Sequence, residues 1–414
     1  MSNFDVDLIV VGGGAAGFFG AITAAEFAPG ARVLMMDKSN KLLSKVKVSG
    51  GGRCNVTHFL DDKSAFAKCY PRGEKHVFRL LHQFDHKDTI SWFEKKGVMI
   101  KAEADGRMFP VTDSSQTIIN CLMEQAVNLG IELSLGEGLE KVNPIDDGGF
   151  EVITSLRKIK THKLLIASGG HPKVSGYDWL KDLGIRIEPP APSLFTFNIP
   201  DHPLKKLMGL STDARIRIPE AKLEETGPLL ITHWGFSGPS VLRCSAWGAR
   251  ELARLNYDFS IRIHWLPDLS QEEIREWFSK QRISKPKKQI HSRIFDGIPQ
   301  RLWEELCLRA GIDAETRWAE LTAKKLNTLV EIITADLYHV KGKTTFKEEF
   351  VTCGGVSLKE IDSNSCMLRR YPGLYFAGEI LDVDGITGGF NFQHAWSSGY
   401  VAGKNIGEEL KKTI

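Results

Sequence analysis

The chain has 414 residues, 42% of them hydrophobic and 25% charged, and its 54 basic and 51 acidic side chains leave a formal charge of +3. That length admits two or three domains and a large buried core, and the composition is that of an ordinary globular protein. Near-balanced charge excludes a global field for nucleic acid or an anionic membrane, so such a partner would need a local patch. No apolar run reaches the roughly eighteen residues that span a bilayer, so no membrane span is expected.

The chain opens with Asp7-Leu-Ile-Val-Val-Gly-Gly-Gly-Ala-Ala-Gly17, an apolar run that turns at glycines. A second apolar run, Val33 to Met36, ends at Asp37. Strand, glycine spacing and acid together predict a dinucleotide-binding βαβ unit. In it Gly12 makes the tight turn, Gly14 admits a pyrophosphate, Gly17 lets the helix pack closely, and Asp37 accepts hydrogen bonds from the adenosine ribose. A strand this close to the start leaves no room for a secretory leader, and a cytoplasmic location is expected. The seven cysteines (Cys54, Cys69, Cys121, Cys244, Cys307, Cys353, Cys366) lack C-x-x-C or zinc spacing. Reduced, buried thiols and no metal are expected, and Cys54 lacks the nearby partner that disulfide-reductase chemistry needs.

From Phe4 to about Pro190, short apolar runs alternate with amphipathic stretches, which predicts an α/β doubly wound sheet whose last strand here is Lys163–Ala167, before Ser168-Gly169-Gly170. Glu188-Pro-Pro-Ala-Pro192 then reads as a break that cannot continue a ladder, and as the first domain boundary. Alternating runs at Ala214–Ile218 and Phe259–His264 predict half-exposed strands of a small β domain. Ser270-Gln-Glu-Glu273 is a capping-box pattern, and helical spacing continues through Ile294, Ile298, Leu302 and Leu306, then Leu326, Leu329, Val330 and Ile333. The predicted domains are 1–190 with 345–414 for nucleotide, 191–269 with about 335–344 as an inserted β domain, and 270–334 as a helical insertion. Within the insertion, Lys280, Arg282, Lys285, Lys287, Lys288 and Arg293 stand without an intervening acid. Twelve basic and eleven acidic residues over 270–340 favour a solvated corner, so nucleic acid is not the expected partner.

The tail returns to a strand, Gly373–Ala377, and runs through an acid and a diglycine into a helical stretch from Gln393 to Lys412. Leu374 to Ala395 resembles the second flavin-contacting motif of two-dinucleotide-fold flavoproteins, whose following helix points its N-terminus at the flavin pyrimidine. With Ser49-Gly-Gly-Gly-Arg-Cys-Asn55 and Thr232-His-Trp-Gly-Phe-Ser-Gly-Pro239 added, the chain resembles the BaiN-like (YhiN-type, aminoacetone-oxidase-like) flavoproteins over nearly its full length. The resemblance implies a glutathione-reductase-type FAD-binding Rossmann-like domain carrying an inserted β-barrel-like domain and a helical subdomain. It places Gly12, Gly14, Ala15, Ala16 and Gly17 at the pyrophosphate and Asp37 and Lys38 at the adenosine. Ser49, Gly50, Gly51, Arg53, Cys54 and Asn55 would line the flavin, with Ser168 and Gly169 at the strand-end turn. Gly378, Glu379, Asp384, Thr387, Gly388, Gly389, Phe390 and Asn391 would surround the ribityl chain and ring system.

The expected activity is an FAD-dependent oxidoreductase exchanging hydride between flavin N5 and a small organic molecule, bound between the nucleotide domain and the insertion. No catalytic acid is assigned; His233, Ser237 and Arg53 are candidates, while His171 and His394 read as structural. A second nicotinamide-binding glycine motif is not visible, so NAD(P)H would bind transiently in the substrate cleft. An NAD(P)H-dependent reductase of an activated carbon–carbon double bond, an amine-type oxidase using oxygen, and a non-catalytic flavin-stabilised scaffold for RNA or protein all stay open, as does the oligomeric state.

Overall fold

A computed structural model describes residues 4–146, 148–292, 295–344 and 351–413. The chain divides into two compact units, Met1–Ala191 with Val351–Ile414, and Pro192–Phe350. The first unit is built on five parallel strands in the spatial order Glu132–Leu135, Val33–Asp37, Val6–Val11, Lys158–Ile166 and Leu374–Phe376. Leu8, Val10 and Met35 face one core with Phe18, Phe19 and Trp396, while Ile9, Val11, Leu34 and Met36 face another with Tyr70, Leu180 and Phe390. Burial on both faces is why these strands read as continuous apolar runs. The tail strand lies in register on the long one, Leu374 opposite Leu164. The start of the long strand also pairs antiparallel with Phe150–Thr154, which pairs with Leu139–Pro144.

The proline-rich stretch differs from its reading as a break. Ile187–Ser193 is a strand, paired with Val351–Val356 in a ladder of only two strands. With a single partner the proline strand has one open side, where a missing N–H costs no ladder bond.

The second unit holds a six-stranded antiparallel sheet in the order Phe197–Asn198, Gly235–Ser237, Leu223–Ile231, Ser211–Ile218, Asp258–His264 and Asp336–Lys341. Phe197 bridges Lys343, and Asn198 N–H donates to the Gly342 carbonyl at 3.3 Å, which closes the sheet into a barrel. Ala214, Ile216 and Ile218 are buried on the inside, as are Phe259, Ile261 and Ile263. Helices Gln271–Ser284, Gln300–Arg309 and Ala323–Ala335 follow. The first carries the expected capping box: Glu273 N–H donates to Ser270 Oγ at 3.2 Å, and Ser270 N–H to Glu273 Oε2 at 2.7 Å. Ile298 precedes the second helix, and Ile294 lies outside the described residues. Ile274, Phe278, Trp303, Leu329 and Ile333 pack in the same core as Ile216 and Ile263, so barrel and helices form one hydrophobic body. Arg309, Asp336 and Tyr338 lock it from within: Asp336 Oδ2 accepts from Arg309 at 2.8 Å, Tyr338 at 2.5 Å and Trp265 at 3.0 Å.

Candidate functional site

The first strand ends in a turn whose geometry admits little but glycine. Gly12 has φ of +111°, and a Cβ there would lie 2.4 Å from the Ala167 carbonyl oxygen. Gly13 N–H donates to Asp37 Oδ2 and Ser39 N–H to Asp37 Oδ1, both at 2.7 Å. These bonds fix the carboxylate across the ends of two strands, and each oxygen keeps a lone pair for another donor. At Gly14 a Cβ would meet no protein atom within 4 Å, whereas at Gly17 it would stand 1.9 Å from the Gly12 carbonyl oxygen. The opening helix, Ala15–Phe27, has no side-chain cap and no acid in its first turn. Its first N–H groups have no carbonyl within the helix, which makes an anion cradle at Ala15, Ala16 and Gly17.

The closing helix, Phe390–Leu410, begins three residues before the expected Gln393. It runs parallel to the opening one: a Cβ on Gly399 would lie 2.7 Å from Ala16 O, on Gly403 2.4 Å from Gly20 O, and on Gly407 2.8 Å from Ala24 O. Glycine therefore lets the two backbones approach closely. Ala16, one residue into its helix, lies beside Gly399, nine residues into the other, so the two N-termini point the same way with an axial stagger of about 12 Å at 1.5 Å per residue. Gly389 caps the closing helix with φ of +99°, again without a side-chain cap or a first-turn acid.

Several side chains set the turn before this helix. Asn391 clamps Gly385, accepting its N–H at 2.8 Å and donating to its carbonyl at 2.9 Å. Phe390 O accepts from the Tyr70 hydroxyl at 2.6 Å. His58 Nδ1 lies 3.0 Å from Gly388 O, and its ring stacks on Phe390 at 4.7 Å. A carbonyl only accepts, so Nδ1 carries the proton in this contact, while Nε2 lies against Gly106. Burial holds the His58 imidazole below its ordinary value. Thr387 is half-buried in the same turn. Asp384 is fully buried and bonded to Arg72, with Arg72 Nε at 2.6 Å from Oδ1. Its carboxylate is thereby engaged in an internal ion pair, which gives it a role in shaping the turn.

The glycine loop reaches the same turn. Ser49 leaves helical geometry, and Gly50, Gly51 and Gly52 follow with φ of +56°, +69° and +85°. Added Cβ atoms at Gly51 and Gly52 would meet nothing within 4 Å. Asn55 Oδ1 accepts from Met108 N–H at 3.3 Å and stands 2.9 Å from where a Gly389 Cβ would be, so loop and helix start are adjacent. Cys54 is fully buried, and desolvation pushes its thiol up to about 12, which leaves it inert. Arg53 lies 3.9 Å over the Phe109 ring and pairs with Glu103 at 2.7 Å and Asp113 at 3.5 Å. Two carboxylates thus hold the guanidinium that was a catalytic candidate.

Beside the opening helix, Gly378 closes in: its Cβ would lie 2.8 Å from Ala16 Cβ. Glu379 accepts from Thr352 N–H at 2.9 Å and pairs with Lys45 at 2.5 Å. The buried Ser168 Oγ has no hydrogen-bond partner among the described residues, and Gly169 faces open space. Lys38 is exposed. His171 is held below its ordinary value by burial and by Lys38 and Lys45. His394, the fifth residue of the closing helix, is buried. Thus the Gly12–Gly17 turn, the Ser168 turn, the Ser49 loop and the Gly378–Asn391 turn all meet the same helix pair. His233 and Ser237 belong to the other unit, His233 exposed with its ring 4.5 Å from Trp234 and Ser237 opposite Leu230 in the barrel. Sequence reasoning missed His58, Arg72, Tyr70 and Lys45. Only His58, three residues beyond Asn55, had a local signal. Uncapped helix ends staggered by about 12 Å, bare glycines and the orphaned Ser168 hydroxyl fit an elongated dinucleotide whose central pyrophosphate meets one helix end and whose ring system meets the other.

A model of the HI0933-like protein Rossmann domain matches residues 6–405. The 3-dehydro-bile acid delta(4,6)-reductase of Clostridium scindens is 27% identical over 96% of this chain and 98% of its own. The ribosomal RNA dihydrouridine synthase of Escherichia coli is 29% identical over 98% of both. Among solved structures, the 3-ketosteroid delta1-dehydrogenase of Sterolibacterium denitrificans superposes with a TM-score of 0.54 at 12% identity, over 98% of this chain and 99% of that one, a likeness of fold. No described helix is long and apolar enough to cross a membrane.

Proposed function

Because the chain belongs to the HI0933-like Rossmann family and is an FAD-dependent oxidoreductase, we propose that it reduces a carbon–carbon double bond activated by a neighbouring carbonyl, with NAD(P)H as a transient donor. Bound FAD would supply the hydride chemistry. The opening helix N-terminus, with Gly12, Gly14 and Gly17, would hold the pyrophosphate, and the Asp37 carboxylate the ribose. The closing helix N-terminus, fixed by Asn391, Tyr70 and His58, would set partial positive charge against the flavin pyrimidine. Ser168 would give its unpaired hydroxyl to the dinucleotide.

The staggered pair of uncapped helix ends carries the cofactor part of this reading. The reaction type is supported by the two relatives' names, which both denote saturation of a carbon–carbon double bond. Uridine becomes dihydrouridine when a hydride and a proton add across C5=C6, a bond conjugated to the C4 carbonyl. On the carrier of that bond, the exposed basic stretch 280–288 favours a pyrimidine in RNA over a free polycyclic compound. Anaerobic mixing with NADH or NADPH should bleach the flavin band near roughly 450 nm. Uridine-containing RNA should restore it, with dihydrouridine formed. A flavin that neither nicotinamide reduces, or that oxygen alone reoxidises, would refute the proposal.

A further inference from the structure

The end of helix Gln271–Ser284 and the turn after it concentrate positive charge that the fold does not neutralise. Lys280, Arg282, Lys287 and Lys288 are exposed and Lys285 is half-buried. Lys288 N–H donates to Lys285 O at 3.1 Å, so three of these lysines share one four-residue turn, whose ends lie within about 7 Å. Like charges at that spacing repel. One or two cations are accounted for by the negative end of the helix dipole, but five are not. Lys280 alone has an acid, Glu276 at 3.9 Å in water; among the described residues none pairs with Arg282, Lys285, Lys287 or Lys288. The neighbouring acids are engaged elsewhere: Glu315 accepts from Gln289 at 2.7 Å and Glu320 from Arg317 N–H at 3.0 Å.

The segment is tied by backbone hydrogen bonds to residues 316–319. Trp318 N–H donates to Lys288 O, Ala319 N–H to Pro286 O and Ile290 N–H to Thr316 O, each at 3.0 Å. Among these cations Ile283 is 84% exposed. Bases present apolar faces between phosphates, so an exposed aliphatic side chain within a run of cations matches a single strand better than a bare anion.

We propose that residues 280–288 form the surface on which RNA docks, Arg282, Lys285, Lys287 and Lys288 taking phosphates and Ile283 lying against a base. The inference rests on the reading of RNA as substrate. Its test measures binding of a short labelled uridine-containing RNA to the flavin-loaded full chain at several salt concentrations. It compares wild type with the variant R282Q/K285Q/K287Q/K288Q and with Ile283→Ser. Loss of four phosphate contacts should reduce the slope of log affinity against log salt by about 3, at roughly 0.7 per phosphate on a single strand. Affinity at low salt should fall at least tenfold, and Ile283→Ser should weaken binding without changing the slope. All proteins should stay yellow and be bleached equally by nicotinamide, which separates failure of docking from failure of the reductase reading. An unchanged slope, no RNA binding by wild type, or equal binding of duplex DNA or anionic vesicles would overturn the proposal.

Discussion

Replacing Gly14 by alanine separates a glycine kept for a ligand from one kept for the fold. A Cβ at Gly14 meets no protein atom within 4 Å, and its φ of −95° suits any residue. Alanine is a poorer helix N-cap than glycine by up to about 1 kcal/mol, whereas the loss of unfolded-chain freedom favours alanine by about 0.4–1 kcal/mol. These nearly cancel, so the apoprotein's melting temperature should move by no more than about 3 °C. If pyrophosphate occupies that space, the added methyl overpacks the site by about 1–3 kcal/mol, and flavin affinity falls about 5- to 150-fold. Gly17→Ala should behave oppositely: its Cβ would lie 1.9 Å from a backbone oxygen that has to move, costing the apo fold about 3 kcal/mol or more. The assay is flavin titration by fluorescence quenching beside thermal melts of the apoproteins. Gly14→Ala binding flavin within twofold of wild type would refute the placement of the pyrophosphate.

Burial holds His76 down to about 4 and His394 well below its ordinary value, while unfolded-chain histidines titrate near 6.5. Their contribution is therefore intact above pH 6.5 and is lost as pH falls below it, His76 alone costing about 2 kcal/mol at pH 5. In urea titrations at fixed FAD near pH 7.5 and pH 5, His76→Leu should lose about 2 kcal/mol less than wild type; equal losses would contradict the buried neutral state. Arg309→Leu strips the guanidinium from the buried Asp336 carboxylate and should cost the second unit about 3–5 kcal/mol, read as a lower urea midpoint. His58→Phe keeps a ring on Phe390 but loses the Gly388 bond. It should weaken flavin binding about fivefold, corresponding to one hydrogen bond of about 1 kcal/mol, with little change in the apo melt.

What the sequence made legible was local or periodic. The run before Gly12, the acid at Asp37, the Ser270 capping box and the alternation at Phe259–His264 each state their geometry within a few residues. The Pro189–Pro190 stretch misled because a proline's effect on a ladder depends on whether the strand has one neighbour or two, and the partner, Val351–Val356, lies far along the chain. Arg72 with Asp384, and Lys45 with Glu379, were invisible for the same reason: more than three hundred residues separate each pair. Arg53 looked chemically reactive because its two acids and the ring beneath it lie on strands and loops whose pairing no local pattern announces.

The parallel packing of Ala15–Phe27 against Phe390–Leu410 joins segments made some 360 residues apart. At about 5–20 residues per second a ribosome needs roughly 20 to 70 s to cover that interval. The barrel unit, one continuous stretch, can mature while still tethered, but the opening helix waits with Phe18, Phe19 and Ile22 short of the core they share with Trp396 until the closing helix emerges. Chaperone dependence should therefore concentrate in the opening helix, and cofactor capture should follow the emergence of the closing one.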